Sequence, residues 1–372
     1  MLYRTLGRTG LEVSQLGFGA MRLPMTGEGD DKRVDDEKAV PMIHRAFESG
    51  VNYIDTAVGY CNSDSQRAVG EALKGWRDRV VLSTKNHEYD DEKRWWQNLE
   101  DSLERLQVDC IDIYNHHGIN WRRYTEDVEP RVSKWMARAR DQGMIRHICC
   151  SFHDDSEGLM KLIDTGYPAS ITLQYNLLDR QLEQGIARAR EKGIGVVVMG
   201  PVGGGRLGAD SEVLRGMVRG VERVPELALR FVLSNPNVTV ALSGMSTMQQ
   251  VEENLATCEG EAALSESDKA LLAEHIERLE KMADLYCTGC KYCLPCPQNV
   301  DIPRIFDFYN TGRVWGLWDI ARKHYGNMSR DGNSGKPADA CVGCGQCEDK
   351  CPQNIPIRRQ LKEAHEALTE SA

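Results

Sequence analysis

Between Val80-Val-Leu-Ser-Thr84 and Cys110-Ile-Asp-Ile-Tyr114, two apolar runs of strand length, stands Glu92-Lys-Arg-Trp-Trp-Gln-Asn-Leu-Glu-Asp-Ser-Leu-Glu-Arg-Leu106, which reads with the period of a helix. Strand, helix, strand in that order is the unit from which parallel sheets are wound. The alternation continues on both sides. With runs at Leu16–Ala20, Tyr53–Ala57, Ile145–Ser151, Ser170–Leu173, Gly195–Met199 and Val238–Leu242, the strand candidates number eight. Helix-period segments separate them at Asp35–Ser49, Arg131–Gln142, Ser156–Thr165 and Gln181–Lys192. Gly50, Gly143, Gly166 and Gly193 stand where helix C-caps belong. The pattern predicts an α/β fold, a closed parallel (β/α)8 TIM barrel, with an open doubly wound sheet as the alternative.

Outside that core, Tyr3–Leu6 and Glu12–Gln15 flank Gly7–Gly10 and read as a hairpin ahead of the barrel. The expected division is a barrel over residues 1–258, a helical linker over 259–286 and a cysteine-rich, mostly helical domain over 287–372. Within the last, Asp301–Tyr325 is aromatic-rich and partly helical, and Asn327–Asp339 has the composition of a loop. A formal charge of −10 leaves no basic footprint for nucleic acid. Thirteen cysteines behind an N-terminus without an apolar leader predict free thiols in a reducing compartment, not a disulfide framework. Nowhere do about 18 apolar residues run together. The expectation is a soluble, cytoplasmic protein with no membrane contact.

Two near-copies of one cysteine motif occupy the C-terminal region. The first is Cys287-Thr-Gly-Cys290-Lys-Tyr-Cys293-Leu-Pro-Cys296-Pro297, and the second is Cys341-Val-Gly-Cys344-Gly-Gln-Cys347-Glu-Asp-Lys-Cys351-Pro352. Gln298-Asn299-Val300 and Gln353-Asn354-Ile355 extend the repeat past the cysteines. Three thiolates at every third position in a tight loop can each reach a different iron of one cube, and Gly289, Gly343 and Gly345 let backbone approach the inorganic sulfides. The run resembles that of bacterial ferredoxins, which implies two 4Fe–4S clusters held by Cys287, Cys290, Cys293, Cys296, Cys341, Cys344, Cys347 and Cys351. In two-cluster ferredoxins the fourth cysteine serves the other cube. That resemblance pairs Cys287, Cys290 and Cys293 with Cys351, and Cys341, Cys344 and Cys347 with Cys296. The spacing Cys293-x2-Cys296 is one residue shorter than the ferredoxin pattern. A pair of structural zinc sites, each held by a set of cysteines, is the alternative reading.

Chemistry on a barrel sits at the C-terminal ends of its strands. Asp55 ends the second strand and Tyr60 follows it, Ser83-Thr84-Lys85 ends the third, and Asn115-His116-His117-Gly118 ends the fourth. A lysine ammonium near a phenol favours phenolate, a carboxylate holds the lysine, and a histidine orients a carbonyl, so the tyrosine can serve as general acid. These residues carry a family resemblance. With Leu16-Gly-Phe-Gly-Ala-Met-Arg22, Asn52-Tyr-Ile-Asp55-Thr-Ala-Val-Gly-Tyr60, Asp112-Ile-Tyr-Asn-His-His117 and Ser243-Gly-Met-Ser-Thr-Met-Gln-Gln-Val-Glu-Glu-Asn254, residues 1–258 resemble an aldo-keto reductase, and the whole chain resembles the iron–sulfur branch of that family.

The resemblance implies a catalytic tetrad of Asp55, Tyr60, Lys85 and His117, and a nicotinamide cofactor, NADPH or NADH. It assigns Ser151, Gln174 and neighbouring Asn176 to the nicotinamide end, with Met199 where many members stack a tyrosine. Pro201-Val-Gly203-Gly204-Gly-Arg206-Leu-Gly208 resembles the pyrophosphate strap, and Gly244, Ser246, Thr247, Gln250, Glu253 and Asn254 the adenosine end. No Lys or Arg lies between Ser243 and Asn254 to grip a 2′-phosphate. Cys61 and the Cys149-Cys150 pair read as ordinary small residues. The expected function is an oxidoreductase that reduces a carbonyl or oxidises an alcohol with nicotinamide, coupled to two 4Fe–4S clusters. Its partners would be a small-molecule substrate and a ferredoxin or flavoprotein that exchanges electrons. An electron-transfer protein whose barrel is a docking body is the alternative, and clusters that only clamp the C-terminal domain are a third.

Overall fold

The structure is a computed structural model that describes residues 1–284, 287, 291–328, 335–351 and 355–370. Two antiparallel strands, β1 (Tyr3–Thr5) and β2 (Glu12–Ser14), open the chain, with Tyr3 opposite Ser14. The barrel strands are β3 (Leu16–Gly19), β6 (Tyr53–Asp55), β7 (Val81–Asn86), β8 (Ile111–Ile119), β9 (Ile145–Phe152), β10 (Ser170–Gln174), β11 (Gly195–Met199) and β12 (Val240–Gly244). They follow one another in chain order around a closed parallel barrel, β12 pairing with β3 to shut it. A small antiparallel pair, β4 (Met25–Thr26) and β5 (Arg33–Val34), lies between the first two barrel strands. The predicted barrel is the observed one.

Local chemistry explains the boundaries. Asp91 accepts hydrogen bonds from the Lys93 and Arg94 amides and so starts the helix Glu92–Leu106, which ends where Gln107 turns left-handed at φ 57°. Gly50, Gly143, Gly166 and Gly193 all take positive φ just past a helix end, as their positions in the sequence predict. The stretch Tyr124–Val132 is the main departure: it forms a wide helical turn with Pro130 inside, leading into the helix Ser133–Asp141. Inside the barrel, Val81, Ile113, Cys149, Val197 and Val240 pack with Leu6 and Val13 of the N-terminal hairpin. That hairpin approaches β11 so closely that a Cβ on Gly7 would stand 2.2 Å from the Gly195 amide nitrogen.

The chain forms two compact units, residues 1–204 with 228–263 and residues 205–227 with 264–372. The first holds the barrel. The second has its own core, in which Ile305, Phe306, Tyr325, Ile357 and Leu361 pack together. Its helices are Glu266–Asp284, Ile302–Trp315, Trp318–Asn327 and Ile357–Thr369. The segment 205–227 joins this unit through the buried Ser211, whose hydroxyl donates to the Trp315 carbonyl at 2.7 Å. Part of the expected loop Asn327–Asp339, namely 329–334, lies outside the described residues.

Gly70, in the helix Ser65–Leu73, offers a test of close packing. A Cβ there would meet the Arg105 carbonyl oxygen at 2.4 Å and the Leu106 backbone carbon at 2.9 Å, atoms that cannot swing away. Alanine gains about 1 kcal/mol of helix propensity over glycine, whereas overpacking costs about 1–3 kcal/mol. Gly70→Ala is therefore expected to destabilise, seen as a lower urea midpoint; a raised midpoint would show that the two helices separate freely.

Candidate functional site

Strand alternation decides which side chains reach the barrel mouth. Asp55 pairs in register with Ser83, and Lys85 with Asn115, so all four point inward from neighbouring strands. Lys85 donates to Asp55 Oδ1 and, at 2.9 Å, to the Thr56 carbonyl. Ser83 Oγ donates to Asp55 Oδ2 at 2.7 Å, and Asn115 Nδ2 donates to Ser83 Oγ at 3.1 Å. Both partners of the ion pair are 2% exposed. The ammonium stands 4.9 Å from the centre of the Tyr60 ring, and the Tyr60 and His117 rings meet edge-on at 6.0 Å. The structure thus brings Asp55, Tyr60, Lys85 and His117 together. His116 turns the other way, its Nε2 2.9 Å from the Tyr167 hydroxyl, and is buried. Tyr89 donates its hydroxyl to the His117 carbonyl at 2.8 Å and fixes that backbone.

Burial sets the protonation states. It pushes His117 down to about 3, helped by Lys85, His87 and His153, so the imidazole is neutral at ordinary pH. For Lys85 burial opposes the charge, yet Asp55 and the Tyr60 phenol hold the ammonium above its usual value. Tyr60 corrects an expectation. Burial raises the phenol above its usual value, and although Lys85 pulls it down, the net direction is up. The phenol keeps its proton at neutral pH, the form a general acid requires.

Ser151, Gln174 and Met199 lie on the neighbouring strands β9, β10 and β11. Ser151 Oγ is buried without a hydrogen-bond partner, as a group kept for a ligand would be. Asn176 donates to the Gly200 carbonyl at 3.2 Å. Gly203 and Gly204 take left-handed φ of 59° and 67° and present backbone where a Cβ would obstruct approach. Gly244 ends β12, and Ser246 Oγ donates to the Arg22 carbonyl at 2.7 Å. Gln250 accepts from the Ser246 amide at 2.7 Å, and the buried Asn254 donates to Ser243 Oγ at 3.0 Å. Glu253, on the helix Met248–Thr257, accepts from Gln249 at 2.9 Å. Arg206 belongs to the second unit. There its charge, with those of His324 and Arg304, works against the burial that raises the Asp307 carboxyl.

Two features of the site escape sequence reading. Arg22 comes from the opposite end of the chain to lie beside Gly244, and donates to the Gly204 carbonyl at 3.1 Å. Its guanidinium, at the Gly204 carbonyl, supplies a cation that the stretch Ser243–Asn254 lacks. Directly after Tyr60, Cys61, Asn62 and Ser63 take φ of 51°, 57° and 64°, a left-handed turn built without glycine. Each such residue costs about 1–2 kcal/mol, a strain typical of functional sites. Asn62 is the one residue in that turn whose type hints at it.

In the second unit, Cys287, Cys293, Cys296, Cys341, Cys347 and Cys351 pack against the apolar core. Cys290 lies outside the described residues. One cavity is lined by Cys293, Cys296, Cys341, Cys344 and Cys347, so two cysteines of the first motif stand beside the triplet of the second. Among the described residues no three His, Cys, Asp or Glu side chains close on one point as a single ion requires. A cube takes each thiolate on a separate iron and spreads them, so the donor set fits a cluster. Cys149 and Cys150 are buried in the barrel, burial pushing Cys149 up to about 11, as expected of inert thiols.

Residues 15–223 match the Aldo/keto reductase family, and residues 286–355 match the 4Fe-4S dicluster domain. The chain belongs to the aldo/keto reductase family: it is an oxidoreductase barrel followed by a 4Fe-4S domain. It is similar to YqkF of Bacillus subtilis (strain 168), an uncharacterized oxidoreductase, with 28% identity over 306 residues, 73% of this chain and 95% of that protein. It is also similar to the NADH-specific methylglyoxal reductase of Escherichia coli (strain K12), with 27% identity over 330 residues, 74% and 98% of the two chains. Among solved structures, the holo form of aldo-keto reductase AKR11C1 from Bacillus halodurans superposes with TM-score 0.62 at 28% identity, covering 74% of this chain and 96% of that one. No helix among the described residues is long and apolar enough to cross a membrane.

The ion pair gives a direct test. Asp55→Ala leaves a buried ammonium with the Thr56 carbonyl in place of a carboxylate. Breaking a buried pair on one side costs about 3–5 kcal/mol, so urea unfolding should show a loss of that order. A loss below about 1 kcal/mol would mean the pair is solvated.

Proposed function

We propose that this protein reduces a carbonyl compound, or oxidises the corresponding alcohol, with a nicotinamide nucleotide, and that its C-terminal domain carries two 4Fe–4S clusters. The observation that carries the reading is the convergence of Tyr60, His117 and the buried Asp55–Lys85 pair at one barrel mouth. The nucleotide, NADPH or NADH, supplies hydride when bound. Ser151 with its partnerless hydroxyl, Gln174 and Met199 would hold the nicotinamide end. Gly203, Gly204 and Arg22 offer backbone and charge to phosphate, and Gly244, Ser246, Gln250, Glu253 and Asn254 line the adenosine side. NADH use by the similar Escherichia coli enzyme supports testing that nucleotide first.

His117, neutral and fixed through Tyr89, presents a ring nitrogen to the substrate oxygen. Tyr60 delivers a proton to that oxygen as it gains charge. Lys85 lies beside the phenol and stabilises the phenolate left behind, while Asp55, Ser83 and the Thr56 carbonyl keep the ammonium in place. Cys287, Cys290, Cys293 and Cys351 would hold one cube, and Cys341, Cys344, Cys347 and Cys296 the other. Cys296 lines one cavity with the second triplet, as this crossing requires, and Cys293 borders the same cavity. Hydride carries two electrons and a cube passes one, so coupling would run between the nucleotide and the clusters, with a ferredoxin or flavoprotein as the external one-electron partner. Each cube would take one of the two electrons released when alcohol is oxidised, or return one when carbonyl is reduced. The absence of a long apolar helix among the described residues is consistent with a cytoplasmic setting.

Tyr60→Phe is expected to lower kcat/KM for carbonyl reduction by about 10^2–10^4 with the circular dichroism of the barrel unchanged. A smaller loss would remove Tyr60 from the acid's role. With His117 neutral and the phenol raised, kcat/KM for reduction should stay level between about pH 6 and 9 and fall only as pH climbs through the phenol's range. An acid limb near neutrality would show that His117 titrates there. Anaerobic addition of NADH or NADPH to protein of known iron and sulfide content should bleach the broad visible band of the clusters. Bleaching by dithionite alone would separate the barrel from the iron and leave the clusters to an external partner.

A further inference from the structure

The two cysteine motifs are copies, and their differences fall on charge. Aligned on their last cysteines, Cys296-Pro-Gln-Asn-Val-Asp-Ile-Pro303 stands against Cys351-Pro-Gln-Asn-Ile-Pro-Ile-Arg358. Aligned on their third cysteines, Leu294 stands against Glu348. An apolar pair in the first repeat, Leu294 and Pro303, is thus an ion pair in the second. Glu348 and Arg358 are joined: the Arg358 amide donates to Glu348 Oε1 at 2.8 Å, and its guanidinium donates to Oε2 at 2.9 Å through Nε and lies 2.8 Å away through Nη2.

The pair has a direction. The cavity lined by Cys296, Cys341, Cys344 and Cys347 also has Arg358 and Lys350 in its wall, and no carboxylate among its lining residues. Arg358 reaches the triplet's own loop, its Nη1 3.5 Å from the Gly343 carbonyl and its guanidinium carbon 3.7 Å from where a Cβ on Gly345 would stand. Arg358 lines the cavity while Glu348, which follows Cys347 directly and whose charge reaches that thiol, clamps the guanidinium without lining it. Arg358 is 53% exposed, but its guanidinium is held through Nε and Nη2 by Glu348 and through Nη1 by the Gly343 carbonyl. The first repeat has Lys291 at the place of Gly345, on an exposed turn where water and salt screen its charge as they do that of the exposed Lys350, so the clamped Arg358 carries most of the difference.

We propose that Arg358, with Lys350, makes the two clusters unequal, raising the reduction potential of the cube held by Cys341, Cys344 and Cys347 above that of its twin. The inference rests on the two-cluster reading of this domain. Reduction adds one negative charge to a cube, and a fixed cation beside it favours the reduced state. An electron arriving at the pair then rests on the second cube; when it passes there from the first, the first is oxidised by one electron as the second is reduced by one.

The test is an anaerobic dithionite titration of the full chain, followed by electron paramagnetic resonance, after an iron and sulfide count. Two separate one-electron steps are expected. Arg358→Gln should shift the higher step downward by roughly tenfold in its equilibrium constant, about 59 mV, and leave the lower step in place. Lys350→Gln should move the same step in the same direction, and Arg358→Lys should keep it near the parent value. A single merged step, equal shifts of both steps, a shift of the lower step alone, or an Arg358→Lys protein that falls as far as Arg358→Gln would overturn the proposal. Iron sufficient for one cube only would sink the two-cluster reading first, and this inference with it.

Discussion

Everything at the barrel mouth depends on one buried ion pair, Asp55 with Lys85. Stripping water from two charges costs several kcal/mol per ion, and the pair survives only where further hydrogen bonds complete both partners. Here Ser83 and the Thr56 carbonyl do so, and Asn115 holds Ser83 in turn. That requirement reaches back into the fold, since it needs β6, β7 and β8 in fixed register and every second residue turned inward. A slip of one residue would send Lys85 into the outer core and leave Asp55 alone. The closed barrel is what prevents the slip, because each of these strands is paired on both sides.

The pair also governs its neighbours. It fixes a positive charge beside a phenol that burial would otherwise keep strictly neutral, so Tyr60 is both a proton holder at rest and able to lose its proton under attack. His117 is kept neutral chiefly by burial, and the same charge adds to that push, so its hydrogen bonding stays directional. One lysine thus pulls both groups toward their deprotonated forms, against burial at Tyr60 and together with it at His117. Aldo/keto reductase membership agrees with that arrangement.

Strand and helix periods made the barrel legible, because alternation and helix-capping glycines are local signals: the run Gly195–Met199 is β11 to the residue, and the helix Glu92–Leu106 likewise. The four rim residues were legible for the same reason, each falling near a strand end. What could not be read was whatever depends on distance along the chain. Arg22 meets the Gly204 carbonyl across nearly half of the sequence, and no local pattern announces it. Arg206 sits in a glycine loop that reads as part of the barrel, yet the segment from 205 to 227 packs with the C-terminal unit through Ser211 and Trp315. The left-handed turn at Cys61–Ser63 lacks the glycines that would mark it. The helix Ile357–Thr369, amphipathic but placed just past a conspicuous cysteine motif, was also unread.

The two halves of the molecule handle electrons in different units, and the C-terminal repeat bears on how they meet. A duplicated motif begins with equal sites, and two equal cubes would hold an electron without preference. Divergence in the loops around the cysteines is then the means available for giving transfer a direction, since the ligands themselves must stay. The first repeat differs by the apolar Leu294 and Pro303 and a shortened Cys293–Cys296 spacing, the second by a clamped arginine. Such changes leave iron ligation intact while altering the charge each cube experiences. On the proposed function, in which electrons leave the barrel in pairs and two clusters take them singly, a difference between the clusters would let the first electron leave the entry point before the second arrives.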